Sequence, residues 1–220
     1  MKTKLLFATP IWLAANATRM SHDTHHLSDT DLSYLEGNCP VATGPKDRHL
    51  VKKIGVTYMH ESILEMLDYT FDVEMNTKTL MSFSRHRIGI SLTITSSRYT
   101  PTKNRNSLRT QGTPNTEKYL SRIMDIVQEA IDEGLEDDEI SLLLPQGFIY
   151  RGQIKLNARS LRHFFTLRMT KGAHVHSRDL AYRLFDNLPN SHKYLFTDKI
   201  QKSNSRYEEY NKPKEQNEKI

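Results

Sequence analysis

Ser84-Arg85-His86-Arg87-Ile88-Gly89-Ile90-Ser91-Leu92-Thr93-Ile94-Thr95-Ser96-Ser97-Arg98-Tyr99 is the stretch on which the reading of this chain turns. Two arginines flank a histidine at its start, a third arginine closes it, and hydroxyl side chains fill much of the space between. A guanidinium offers a planar fork of donors suited to phosphate, and short hydroxyls donate without bulk. Arginines at the end of an element are more often solvated or ion-paired, so this stretch needs a companion. Ile88, Ile90, Leu92 and Ile94 alternate with small residues, which by period alone is a strand.

The companion is Asn157-Ala158-Arg159-Ser160-Leu161-Arg162-His163-Phe164-Phe165-Thr166-Leu167-Arg168. Leu161, Phe164, Phe165 and Arg168 share one helical face, which begins apolar and ends in a cation. Asn157 is a suitable N-cap. In this order the two stretches resemble the signature of the flavin-dependent thymidylate synthases. That signature is Arg-His-Arg, then a serine and an Arg-Tyr pair, then an Asn-x-Arg-Ser-Leu-x-x-Phe-x-x-Leu-Arg helix. Arg-His-Arg alone says little; both motifs in order say much. The opening Leu5-Leu6 to Thr9-Pro10 is also similar to the family's start. His60 to Glu65 resembles its His-x-Ser/Thr-x-x-Glu-His segment, with Met66 in place of the last histidine.

The resemblance implies an α/β (α+β) fold, a mostly antiparallel sheet packed by long helices, and a homotetramer with sites between subunits. It implies reductive methylation of dUMP to dTMP, with carbon from methylenetetrahydrofolate and electrons from NADPH through tightly bound FAD. Position by position, it gives Ser62, Arg85, His86, Arg87, Asn157, Ala158, Arg159 and His163 to the flavin. It gives Ser82, Arg85, Thr95, Ser96, Ser97, Arg98 and Arg168 to the nucleotide. Arg168 is the catalytic candidate, placed beside the uracil to stabilise charge developing at a ring nitrogen; a guanidinium suits this because it stays charged. The chemistry asks for no protein nucleophile and no metal, so Cys39 has no catalytic part. The alternatives are a relative that delivers a hydroxymethyl group, separable by product mass, and a non-catalytic basic binding protein on the same fold, separable by colour. The resemblance also favours a substrate-binding loop over a strand for Ile88 to Ile94, as Gly89 and the hydroxyl density weaken a buried strand.

Three departures from the family pattern stand out. Eight residues separate Arg87 from Ser96 where the family leaves seven, so Thr95 takes the seven-residue position. An extra residue in an extended segment reverses side-chain parity unless a bulge absorbs it. The glutamate common in this loop is absent, with Thr93 and Ile94 standing there. The basic residue expected ahead of the Leu-Pro step is Ser141, with Arg151 and Arg162 the nearest cations in sequence to compensate.

The remaining chain sets the frame. A length of 220 residues predicts one domain, read as 1–198, followed by a polar, disordered tail at 199–220. A net charge of +5 suits an anionic partner. No basic run interleaved with aromatics supports a polymeric nucleic acid. A lone cysteine and no apolar segment of membrane-spanning length predict a cytoplasmic protein without membrane attachment. Met1 to Ala17 mimics a signal peptide, but Pro10 interrupts it; a strand, a turn at Thr9-Pro10 and a helix fit better. Residues 22–50 read as a solvated loop running into a helix, and His22, His25 and His26 lack a completing thiol or carboxylate. A helix or two short ones follow from Lys52 to Tyr69, then a strand at Thr70 to Glu74 and a helix capped by Asn76 that delivers Arg85. Residues 100–116 read as a mobile loop. Glu117 to Gly134 is an amphipathic helix whose face carries Tyr119, Ile123, Ile126, Val127 and Ile131. Phe148 to Leu156 is a strand. A last helix from Thr170 carries Ala173, Leu180, Ala181, Leu184 and Phe185 inward, with His174 and His176 on different faces, exposed or at the core's edge.

Overall fold

A computed structural model describes residues 1–32, 42–99, 101–103 and 108–200. Cys39, part of the 100–116 loop and 201–220 of the expected tail lie outside the described residues.

The fold is built around β2 (Asp68–Asn76), in which Tyr69, Phe71, Val73 and Met75 alternate inward and are buried. It pairs antiparallel with β1 (Thr3–Ala8) on one side and β4 (Ile149–Asn157) on the other. β3 (Ile90–Ile94) forms the far edge, giving the order β1-β2-β4-β3. Helices α1 (Ile11–Met20), α6 (Ala158–Arg168) and α7 (Val175–Asp186) cover one face. Their Ile11, Ala14, Leu161, Phe165, Leu180 and Leu184 join the strand residues in one core. The other face is polar and ion-paired: Glu74 takes Arg109 and Arg151, and Asp68 takes Lys155. A half-covered antiparallel sheet shows this division of faces.

The strand at Ile90–Ile94 corrects the expected loop. Ile90 to Ile94 pairs residue for residue with Leu156 to Gly152, and side-chain period was the better guide. Gly89 precedes the strand rather than weakening it. The pairing is unbroken, and Thr95 continues it by donating its N–H to the Arg151 carbonyl at 2.8 Å. No bulge therefore absorbs the extra residue between Ile90 and Thr95.

Other expectations need smaller corrections. The polar run after α1 leads to α2 (Pro45–Val51), whose first residue is proline, as a helix start allows. It is fixed by buried Asp47, which pairs with Arg19 at 2.6 Å and accepts from Ser28 and Thr30. Lys52 to Tyr69 resolves into a π-helical turn at Lys52–Thr57 and a 3-10 turn at Glu61–Met66, while Tyr69 belongs to β2. α4 (Glu117–Asp132), at 16 residues, is the longest helix described. Only part of its apolar stripe is covered: Val127 and Ile131 are buried, whereas Tyr119, Ile123 and Ile126 face solvent. α5 (Asp137–Leu143) follows it. α7 starts at Val175 with His174 as its cap, so Ala173 precedes it. His176 is buried rather than at an edge, and its ring lies 5.6 Å from that of His174. Ile200, expected in the tail, packs against the core.

The two central strands end alike. Asn76 accepts from the Thr79 N–H and caps α3 (Thr77–Phe83), and Asn157 accepts from the Ser160 N–H and caps α6. One helix delivers Arg85 and the other Arg168.

Candidate functional site

The loop after α3 is fastened to the start of α6. Ser160 Oγ donates to the Ile88 carbonyl at 2.6 Å, and the Asn157 N–H donates to the Gly89 carbonyl at 3.1 Å. Gly89 has φ +66°, and a Cβ there would run into Asn157 Nδ2 and Ser160 Oγ. Both the backbone region and the close approach require glycine. Gly89→Ala is expected to destabilise the fold by about 1–3 kcal/mol, read in chemical denaturation. Unchanged stability would show that the loop is not held in this way.

The far end of α6 meets the same loop. Arg168 Nε and Nη2 lie 3.3 and 3.2 Å from His86 Nε2, and Nη2 also donates to the Ser82 carbonyl at 3.3 Å. A guanidinium only donates, so His86 Nε2 accepts and its proton sits on Nδ1. Burial, then Arg168 and His163, hold the His86 pKa down at about 4, so the ring is neutral near pH 7. It meets Phe164 and His163 edge-on, with centroids 5.1 and 5.8 Å apart. Burial and then Arg85 lower the pKa of Arg168 from its ordinary value, though it stays a cation.

These groups open into a cleft of about 480 Å³. Arg85, Arg159 and Arg168 supply its charge, with Glu61 the opposing carboxylate; Ile88, Ile90 and Leu167 supply an apolar wall. Such a donor set beside an apolar wall fits a flat conjugated ligand that carries phosphates. Arg159 is tethered by Glu65 at 2.6 Å. Arg162 is not part of the cleft: it is buried and bound twice by Asp198, at 2.7 and 2.8 Å. Arg151 reaches Glu74 on the open sheet face. Arg162, so held, does not stand in for the basic residue missing at Ser141.

The structure gathers Arg85, His86, Arg159, His163 and Arg168, with Asn157 holding the loop beside them. Arg87 is exposed, as is Ser62 on the turn next to Glu61. Ser82 contributes its carbonyl to Arg168. Ala158 is fully buried, its amide bound to the Leu67 carbonyl at 2.7 Å. Thr95, Ser96, Ser97 and Arg98 are not brought to the cleft. They follow the far end of β3, roughly 16 Å along the strand from Ile90. There Arg98 holds Asp138 with both arms of its fork. Sequence reasoning missed Glu61, Ser160 and Asp138. Glu61 and Glu65 sit four apart, which hinted at cationic partners, but nothing local identified Arg159 and Arg162 as those partners.

A larger groove of about 890 Å³ is lined by Lys2, Glu74, Arg151 and Arg183, and contains none of the motif residues. Among the described residues no three His, Cys, Asp or Glu side chains are grouped to hold a metal, and no helix is long and apolar enough to cross a membrane.

Burial holds the pKa values of His86, His176 and His192 at about 4. In the unfolded chain they return to about 6.5, so between pH 6.5 and 4 unfolding takes up protons. Stability should be complete above pH 6.5 and fall as the pH drops towards 4, with a slope approaching three protons. Thermal melts across this range should show the decline, and a flat melting temperature would contradict it.

A sequence profile described as thymidylate synthase complementing protein (Thy1) matches residues 4–192. A flavin-dependent thymidylate synthase of Helicobacter pylori (strain 26695) is 30% identical over 209 residues, covering 86% of this chain and 94% of that protein. One of Campylobacter jejuni (strain RM1221) is 29% identical over 211 residues, covering 89% and 96%. The crystal structure of thymidylate synthase X from Helicobacter pylori with FAD and dUMP superposes with a TM-score of 0.79 at 27% identity, covering 91% of this chain and 100% of that one. A UMP/dUMP methylase from Streptomyces cacaoi, bound with 5-Br dUMP, shares the fold with a TM-score of 0.66 at 18% identity, over 90% of this chain and 96% of that one.

Proposed function

This chain belongs to the thymidylate synthase complementing protein family, and from that premise we infer that it is a flavin-dependent thymidylate synthase, converting dUMP to dTMP with carbon from methylenetetrahydrofolate and electrons from NADPH through FAD. The observation that carries the reading is Arg168, fixed between the His86 ring and the Ser82 carbonyl at the wall of a cationic cleft.

Arg85, Arg159 and His163 hold the flavin, which when bound supplies hydride chemistry. Arg168 stabilises negative charge on the uracil ring while carbon 5 becomes nucleophilic, and two fixed contacts keep its guanidinium oriented before the charge develops. His86, uncharged, directs Arg168 without repelling it strongly. Ile88, Ile90 and Leu167 exclude water from the ring.

Thr95, Ser96, Ser97 and Arg98 bind the nucleotide, chiefly its phosphate. Their distance from Arg168 within one chain supports a site completed by a second chain, in keeping with the homotetramer that the family resemblance implies. The uncovered side chains of Tyr119, Ile123, Ile126 and Leu142 supply apolar surface for such contacts.

An anaerobic assay with dUMP, methylenetetrahydrofolate and NADPH tests the reading. Yellow protein that forms dTMP is expected; a hydroxymethylated product by mass would reassign the reaction. A colourless monomer that takes up no FAD would overturn it.

A further inference from the structure

Arg98 sits in the loop assigned above to the nucleotide phosphate, yet its fork is already filled. Its Nε and Nη2 lie 2.6 and 3.0 Å from the two carboxylate oxygens of Asp138, in the first turn of α5. A carboxylate and a phosphate both present paired oxygens to a guanidinium, so they compete for one fork. We propose that Asp138 is a resident competitor for the nucleotide phosphate, closing Arg98 until a phosphate displaces it and thereby setting the enzyme's affinity and selectivity for phosphorylated substrate. This rests on the reading of Arg98 as a phosphate ligand.

The surroundings fit a displaceable contact. Both side chains are about 60% exposed, at 62% and 59%, and an exposed pair exchanges readily. The loop keeps its place without the pair. Asp137 accepts the Thr102 N–H at 2.8 Å, and Thr95 is hydrogen-bonded to Arg151 of β4 through both its amide and its hydroxyl. Ser141, one turn along α5, spends its hydroxyl on the Asp138 carbonyl at 2.6 Å and adds no charge. The pair is therefore formally neutral until Asp138 leaves. A phosphate dianion outbids a single carboxylate, whereas a nucleoside without phosphate has nothing to bid with. Once displaced, the Asp138 carboxylate faces the bound dianion, so the competition persists in the complex.

The test is titration calorimetry on the flavin-loaded protein with dUMP, deoxyuridine and inorganic phosphate. Asp138→Asn should tighten dUMP by about fivefold, with deoxyuridine unchanged. Asp138→Ser should do the same, which guards against misfolding of one variant, and thermal melts check both. Arg98→Ala should weaken dUMP, and adding Asp138→Asn to it should give no tightening. Unchanged or weaker dUMP binding in both Asp138 variants, with Arg98→Ala still weakened, overturns the competitor and leaves Arg98's role intact. Equal tightening of deoxyuridine also overturns it. An Arg98→Ala protein that binds dUMP normally overturns the underlying phosphate reading instead.

Discussion

Replacing Arg168 with alanine is expected to lower dTMP formation by at least two orders of magnitude while FAD stays bound. The substitution removes a charge-assisted contact of roughly 1.5–3 kcal/mol, and with it the cation aimed at the developing charge. FAD should remain because its ligands are anchored separately from Arg168: Arg159 by Glu65, and the Arg85 loop by Ser160 and Asn157. Arg168→Lys should recover little, since an ammonium keeps the charge but loses the fork that meets both His86 and Ser82. Flavin absorbance and single-turnover product formation separate binding from chemistry. Near-normal dTMP formation in the alanine variant would remove Arg168 from the mechanism.

The second large effect concerns pairs of chains. Arg98 follows one end of β3 and Arg168 contacts the loop that leads into the other, so each inactive variant should carry one intact half of a shared site. Arg98→Ala and Arg168→Ala, each with little activity, should recover about a quarter of wild-type activity when mixed under subunit exchange. Half of randomly paired interfaces are mixed, and each mixed interface contains one site with both arginines intact. No recovery despite demonstrated exchange would mean that a single chain supplies both residues.

How much of this was legible can be judged from particular residues. The centre of the sheet was readable because Phe71 and Val73 alternate with polar residues and because Asn76 and Asn157 mark where strands become helices, while Tyr69 and Met75 at the strand's ends were not assigned to it. Reliance on family likeness misjudged β3, where the isoleucine and leucine period was the physical signal. The cationic half of the cleft followed from Arg-His-Arg and the arginine ending α6. Its anionic restraints did not, because Glu61 and Glu65 reach Arg159 from far away in sequence. The apolar stripe of α4 was visible as a pattern, but pattern alone does not say whether its covering comes from the same chain.

The loop from His86 to Gly89 touches α6 at both ends, with His86 on Arg168 and Gly89 on Asn157. That makes α6 a segment of fixed length. One inserted residue would turn Arg168 by about 100° around the helix axis and shift it about 1.5 Å along it, breaking one contact to keep the other. Among natural variants, gaps and insertions should gather in the polar segments near 22–42 and 100–108. The 11 positions of α6 should admit substitutions but no change in number.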